Sequence, residues 1–251
     1  MAMSPQNQVD VWVLDCAGFK LDELEQQGLM RLDTQERARY ERYELIRSKR
    51  QLLLSRAMLR TVLTRYLGAD VAIRIAEYGR PELVQSSPLS FNLSHSRDRV
   101  IVAVSSLGPV GVDVEYAARP RRVERLMTRY FSSLEQSALL SLPSEERLTR
   151  FYRLWALKES YIKARGLGLA IPLGDFSFEF EGVDEREIAI RFSRSQAAQE
   201  AEHWSFWADQ VAGKDYAFGL ALNADAKGVR VSVRHASAES GIESWGEPEI
   251  L

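Results

Sequence analysis

Asp113 and Glu115 alternate with β-branched residues in the run Val110-Gly111-Val112-Asp113-Val114-Glu115. A strand's period of two sends both carboxylates to one face. Such a pair can hold a hard cation through oxygen, and magnesium uses only one or two protein carboxylates while keeping positions for water and phosphate. Acidic residues at a strand end can equally be plain solvated groups, so the run alone leaves both readings open. Further along, Glu159 and Lys163 stand four apart in Trp155-Ala-Leu-Lys-Glu-Ser-Tyr-Ile-Lys163, on one helical face, with Trp155 one turn before Glu159. Taken singly they are an ordinary helix pair worth about 0.2–0.5 kcal/mol. A metal held by Asp113, Glu115 and Glu159, with Lys163 on a phosphate, accounts for all four together.

The elements that must position these groups are legible from periodicity. Val9 to Leu14 reads as a first strand. Between Asp33 and Tyr66, apolar residues from Leu45 to Leu63 recur at helical spacing, Asp33-Thr34 offers an N-cap, and Leu67-Gly68 ends the pattern, which predicts one long helical stretch. Its first half crowds Arg37, Arg39, Arg42, Arg47, Lys49 and Arg50, diluted by Glu36, Glu41 and Glu44, so a solvated face with intrahelical pairs is one reading of it. Ile73 and Ile75 suggest a strand and Gly79-Arg80-Pro81 a turn. The runs Val100 to Val104 and Val110 to Val114, joined by Gly108-Pro109, suggest a hairpin. Two shorter helices are expected near Val123 to Tyr130 and Leu134 to Leu142, then a stronger one from Ser144 to about Arg165, stopped by Gly166. Strands follow at Phe176 to Phe180, Ile188 to Phe192, Trp204 to Ala208 and Tyr216 to Leu222. Strand material, a long helix and a closing apolar strand thus occur twice. This predicts an α+β fold of two similar lobes, 1–110 and 111–235, with a ligand cleft between them and a loosely held tail over 236–251.

Composition narrows the function classes. The chain has 251 residues, 45% hydrophobic and 27% charged, with 15 Gly and 8 Pro, which suits a soluble globular protein and excludes disordered and collagenous classes. One cysteine, Cys16, leaves no internal disulfide framework or Cys-based zinc site, and nothing suggests export or a membrane span, so the cytoplasm is the expected compartment. With 33 basic against 35 acidic residues, a protein devoted to coating nucleic acid is disfavoured.

Four segments in order carry a specific resemblance. Val110-Gly-Val-Asp-Val-Glu115, followed by Phe151-Tyr-Arg-Leu-Trp-Ala-Leu-Lys-Glu-Ser-Tyr-Ile-Lys163, resembles the paired signature of 4′-phosphopantetheinyl transferases. Gly79-Arg80-Pro81 resembles that family's Gly-Lys-Pro turn, and Phe91-Asn-Leu-Ser-His95 its Phe-Asn-Ile-Ser-His segment. The likeness runs from about Arg37 to Phe178, and the length is similar to the larger, surfactin-synthetase-activating type, a pseudo-dimer within one polypeptide.

The resemblance implies a magnesium-dependent enzyme with its active site between the lobes. It would transfer the phosphopantetheine arm of coenzyme A to a serine of apo acyl or peptidyl carrier proteins and release adenosine 3′,5′-bisphosphate. It implies Asp113, Glu115 and Glu159 as metal ligands, Glu159 as acceptor of the serine proton, and Lys163 and Lys158 on phosphate oxygens. Arg47 best matches the coenzyme-binding arginine, with Arg50 and Arg39 beside it in a loose register, and Arg80, Ser94 and His95 match positions that touch the coenzyme. Glu135 resembles a position near the metal, on a short match that adds no ligand. His203, His235 and Cys16 read as structural. Arg121, Arg122 and Arg125 suit an acidic carrier-protein helix electrostatically, though a solvated face explains them equally. A monomer is implied, with neither nucleic acid nor membrane as partner. The competing expectations are a coenzyme-A or carrier-binding module without catalysis and, more remotely, an anion-binding protein built on the 37–50 helix.

Overall fold

The computed structural model describes residues 7–69, 71–75, 80–118, 123–167, 171–182, 187–193, 203–224, 228–239 and 249–251. In chain order these form β1 (Gln8–Asp15), α1 (Leu21–Gly28), α2 (Thr34–Arg42), α3 (Ile46–Leu67), β2 (Ile73–Ile75), β3 (Pro81–Leu83), β4 (Ser90–Ser96), β5 (Arg99–Ser105) and β6 (Val110–Tyr116). There follow α4 (Val123–Tyr130), α5 (Ser133–Ser141), α6 (Ser144–Arg165), β7 (Phe176–Glu181), β8 (Glu187–Phe192), β9 (Trp204–Trp207), β10 (Tyr216–Asn223), β11 (Arg230–Ala236) and β12 (Glu249–Ile250).

Two sheets form the centre. The first has the order β12-β11-β1-β5-β4 and the second β6-β10-β9, so β1-β5-β4 with α3 and β6-β10-β9 with α6 repeat one plan, the two α+β lobes of a pseudo-dimer. Alternation along the strands sorts three cores. Trp12, Leu14, Val100, Val102 and Val104 pack under Leu54, Met58, Leu59, Val62 and Leu63 of α3. From the opposite face of the same strands, Val9, Val11, Val13, Ile101 and Ala103 meet Val110, Val112, Val114, Phe218, Leu220 and Leu222. The second sheet's other face lies under α6, where Ala156, Leu157, Tyr161 and Ala164 join Ala217 and Ala221. Because Val110, Val112 and Val114 face the first sheet, Gly111, Asp113 and Glu115 face the side of α6.

That helix lies unusually close to the sheet. A Cβ at Gly111 would come 2.0 Å from the Ser160 carbonyl oxygen and 2.5 Å from Ala164 N, and one at Gly219 would come 2.4 Å from the Ala156 carbonyl. Both obstacles are backbone, so no rotamer change relieves them. Gly219 sits directly opposite Asp113 in the β6–β10 ladder.

Several expectations are corrected. The single helix over 33–66 is two, α2 and α3, joined at Tyr43–Leu45. The bend lets Tyr40 and Tyr43 fold back onto Leu52 and Leu53 of α3, and α2 starts at its own capping box, Asp33 with Glu36. Helix α1 was not anticipated. β5 and β6 do not form a hairpin: both edges of β5 are taken, by β1 and β4, so the chain crosses at 106–109 into the second sheet. The strand at 230–236 belongs to the first sheet, parallel to β1, and the chain end is tied there, with β12 on β11 and Leu251 N–H on the Val231 carbonyl at 3.0 Å. The remainder of the expected loose tail, 240–248, lies outside the described residues.

Replacing Gly219 by alanine is expected to lift α6 from the sheet, lowering stability by about 3 kcal/mol or more. Denaturant unfolding checks this. A conservative change at exposed Leu140 should stay within about 0.5 kcal/mol of the parent.

Candidate active site

The site lies where β4 of the first lobe meets β6 of the second. The two strands are not hydrogen-bonded backbone to backbone. Instead, alternate side chains of β4 accept the outward N–H groups of β6: Val110 N donates to Ser90 Oγ (3.0 Å), Val112 N to Asn92 Oδ1 (3.0 Å), Val114 N to Ser94 Oγ (3.4 Å) and Tyr116 N to Ser96 Oγ (3.1 Å). Strand periodicity on both sides makes this row of polar rungs regular, and it satisfies a strand edge that would otherwise be buried unpaired.

On this row stand the charged groups. Asp113 is buried; its Oδ1 accepts from Ser94 Oγ at 2.8 Å and from Lys163 Nζ at 2.5 Å. The Lys163 ammonium also donates to Ser94 Oγ (2.9 Å) and the Val112 carbonyl (3.2 Å). Asp113 Oδ2 is buried with no hydrogen-bond partner. Ser96 Oγ donates to Glu115 Oε2 at 3.4 Å. Glu159, one helical turn before Lys163, is half-buried; burial first, then the Asp113 charge, push its carboxyl up to about 7 against the pull of Lys163. Asp113, Glu115, Ser94 and Lys163 line a groove of about 260 Å³ together with His95, Arg39 and Arg56. Desolvation, and then the Lys163, Arg39 and Arg56 charges, hold the His95 imidazole below its ordinary value. The Arg56 guanidinium is held through Nε by Glu36, the residue that also closes the α2 capping box, and Arg39 Nε donates to Tyr43 Oη at 2.6 Å.

A second groove of about 260 Å³ adjoins the first at Pro81 and contains Arg80. The Arg80 guanidinium lies against Gly166 at the end of α6, and its Nε is buried and unpartnered. Gly79 lies outside the described residues, as do Arg119 to Arg122; Arg125 is exposed on α4.

Asp113, Glu115, Lys163, Ser94 and His95 are thus brought together with Glu159 nearby. Three predicted residues are placed elsewhere. Lys158 is fully buried on the opposite side of α6: its ammonium pairs with Glu135 at 2.8 Å and donates to the Leu173 and Phe176 carbonyls, both at 2.7 Å. Enclosed there, it does not reach the groove that Lys163 lines, so it holds no phosphate. Glu135 is equally committed, accepting from Ser132 N, Phe178 N and Lys158. Arg47 is exposed in the first turn of α3 and does not line the groove. Arg56 is nine residues on, about two and a half turns, so the two leave the helix from opposite sides. Arg50 bonds Asp98 Oδ1 (3.3 Å) and the Phe19 carbonyl (3.4 Å), tying α3 to the β4–β5 turn. Arg39 and Arg56 are the arginines at the groove. Arg56 was missed because its cue, one arginine amid an apolar stripe, is indistinguishable from a flanking surface residue. Cys16 is buried and its thiol is pushed up to about 12, mainly by burial, which suits an inert side chain.

Among the described residues, no three carboxylate, histidine or cysteine side chains are gathered into a ready metal cage. The local chemistry nonetheless suits a hard cation: a buried carboxylate oxygen lacks a partner, and a second carboxyl has its ionised form disfavoured by burial and then by the first.

Comparison with known proteins agrees in direction. Residues 109–221 match the family model described as the 4′-phosphopantetheinyl transferase superfamily. The chain is 33% identical over 180 residues to the 4′-phosphopantetheinyl transferase HetI of Nostoc sp., covering 69% of this chain and 71% of that protein. It is 34% identical over 200 residues to a putative 4′-phosphopantetheinyl transferase of Synechocystis sp., covering 76% and 78%. To the 4′-phosphopantetheinyl transferase Sfp of Bacillus subtilis it is 36% identical over 146 residues, covering 57% and 64%.

Two outcomes follow from the electrostatics. The folded Glu159 binds its proton more tightly than the unfolded chain does, so without added cation its contribution to stability should fall as pH rises from about 4.5 to about 7. Glu159→Gln should flatten that fall in unfolding curves taken in chelator at pH 5 and pH 7.5. Lys158→Met, leaving Glu135 buried without its cation, is expected to destabilise the protein by about 3–5 kcal/mol, whereas the double replacement Lys158→Met with Glu135→Gln should recover part of that loss.

Proposed function

Because this chain belongs to the 4′-phosphopantetheinyl transferase family, we propose that it transfers the phosphopantetheine arm of coenzyme A to a serine of apo acyl or peptidyl carrier proteins. The observation that carries this reading onto particular residues is the Asp113–Ser94–Lys163 constellation, a buried carboxylate with one unpartnered oxygen and an ammonium, in a groove rimmed by arginines. In the reaction the serine oxygen attacks the phosphorus bearing the pantetheine arm. The bond from that phosphorus to the bridging oxygen breaks, and adenosine 3′,5′-bisphosphate leaves with the bond's electron pair.

Phosphoryl transfer of this kind depends mainly on positioning and charge neutralisation. Asp113, Glu115 and Glu159 are the groups that would hold magnesium, which when bound supplies charge neutralisation on the pyrophosphate. The chain's own residues do the rest. Lys163, anchored on Ser94 and the Val112 carbonyl, presents a point charge to a phosphate oxygen. Arg39 and Arg56 offer fixed guanidinium groups, Arg56 held in place by Glu36, and Arg80 extends the cationic wall along the adjoining groove. His95, kept neutral by its surroundings, offers a hydrogen bond without further charge. Glu159, one helical turn before Lys163 and beside Asp113, is the carboxylate that would accept the serine proton. A groove assembled from both lobes of one chain supports action as a monomer, and the cytoplasm is the proposed setting.

Incubating the purified protein with coenzyme A, magnesium and a panel of apo carrier proteins should add one phosphopantetheine group per carrier by intact mass, and chelator should abolish the gain. Asp113→Ala and Glu159→Ala should each reduce the rate by about 10²–10³-fold or more with the fold retained. Coenzyme A binding without transfer to any carrier would overturn the catalytic reading. Wild-type rates in both variants would overturn the residue assignment.

A further inference from the structure

The polar rungs between β4 and β6 are not equivalent. Ser90 and Asn92 each receive one N–H of β6, and the residues preceding those N–H groups, Pro109 and Gly111, carry nothing they could orient. The next two rungs do more. Ser94 Oγ accepts Val114 N and donates to the carboxylate of the preceding residue, Asp113. Ser96 repeats this arrangement two residues on: its Oγ accepts Tyr116 N at 3.1 Å and donates to the carboxylate of the preceding residue, Glu115, at 3.4 Å. One hydroxyl thus ties both a backbone amide and the adjacent carboxylate, and the motif recurs where β6 carries acid.

The tip that carries Ser96 is itself fixed. Arg97 adopts φ +50°, a conformation uncommon for a long side chain, and its carbonyl accepts Gln51 Nε2 of α3 at 2.7 Å. Its guanidinium lies 4.0 Å from the ring centre of Tyr116, and Asp98 is held by Arg50. The turn that follows Ser96 is thus tied to α3 through Arg97 and Asp98, while the Ser96 hydroxyl itself bonds β6.

We infer that Ser96 is a positioning residue for Glu115, its hydroxyl aiming that carboxylate into the groove beside Asp113 and so tuning the affinity of the divalent-cation site. The cation part rests on the function proposed above; the hydroxyl–carboxylate coupling does not. Groups that orient metal ligands typically change affinity by 10–100-fold when removed.

The test uses the full chain and two readouts other than turnover. In chelator, shifts in the denaturant midpoint are measured for Ser96→Ala, Glu115→Ala and the pair, alongside Ser90→Ala with Glu115→Ala as a control rung. Ser96 and Glu115 should be non-additive and Ser90 and Glu115 additive. Separately, Mn²⁺ binding in the presence of coenzyme A is followed by electron paramagnetic resonance. Ser96→Ala should weaken it about 10-fold, Ser96→Thr, which keeps the hydroxyl, should restore it, and Ser90→Ala should leave it unchanged. Additive shifts for Ser96 with Glu115 would overturn the inference. So would Mn²⁺ affinity unchanged in Ser96→Ala, or weakened equally by Ser90→Ala. A parent protein that binds no Mn²⁺ while Ser96 and Glu115 remain coupled would uphold the positioning role and refute the metal site of the proposed function.

Discussion

The contact on which the site depends is that of one helix with one sheet at the distance only glycine permits. Helix α6 rests its backbone at Ser160 and Ala164 on Gly111, and at Ala156 on Gly219, with no side chain between. That depth brings the Lys163 ammonium to Asp113 and the Val112 carbonyl. A helix standing on ordinary side chains would sit farther out, and the ammonium would be drawn away from the carboxylate. The glycines are therefore part of the chemistry although neither can touch a ligand through a side chain.

Close packing on one face of β6 is matched by polar pairing along its edge. Pairing β6 backbone to backbone with β4 would have merged the two sheets and removed the space in which a ligand can lie. Serine and asparagine side chains substitute for a partner strand, spacing the edges apart while keeping every second amide satisfied. The arrangement leaves Asp113 and Glu115 at the boundary between a dry seam and a groove. This is the setting in which a carboxylate oxygen can be buried and still lack a protein partner.

What could be read beforehand was what local geometry decides. Period-two alternation placed Asp113 and Glu115 on one face, the i,i+4 rule placed Glu159 above Lys163, and the bounds expected for the helix from Ser144 to about Arg165 match α6. What could not be read was decided by partners distant in sequence. Lys158 neighbours Glu159 in the chain, but a step of about 100° around the helix turns it from the groove into the core, where Glu135 and two carbonyls await it. The break between α2 and α3 carries no proline or glycine; it exists because Tyr40 finds Leu52 and Leu53. The mistaken β5–β6 hairpin had the turn residues of a hairpin, and only the occupancy of both edges of β5 forbade it. Of the arginines on this stretch, Arg39 and Arg56 line the groove, while Arg47 leaves α3 on the side opposite Arg56, a difference of face that local spacing does not reveal.

The placement of β11 bears on how the molecule can be made. Its pairing with β1 runs from Gln8↔Arg230 to Leu14↔Ala236, and buried Asp10 accepts from Arg234 at 3.1 Å. The first lobe is thus completed by a strand synthesised after the second. A nascent chain stopped near residue 110 would hold β1 with one edge open along its whole length, a sticky intermediate with its non-local partner still unmade. Although the lobes repeat one plan, a cut between them would part β1 from β11 and leave the first lobe without one of its strands.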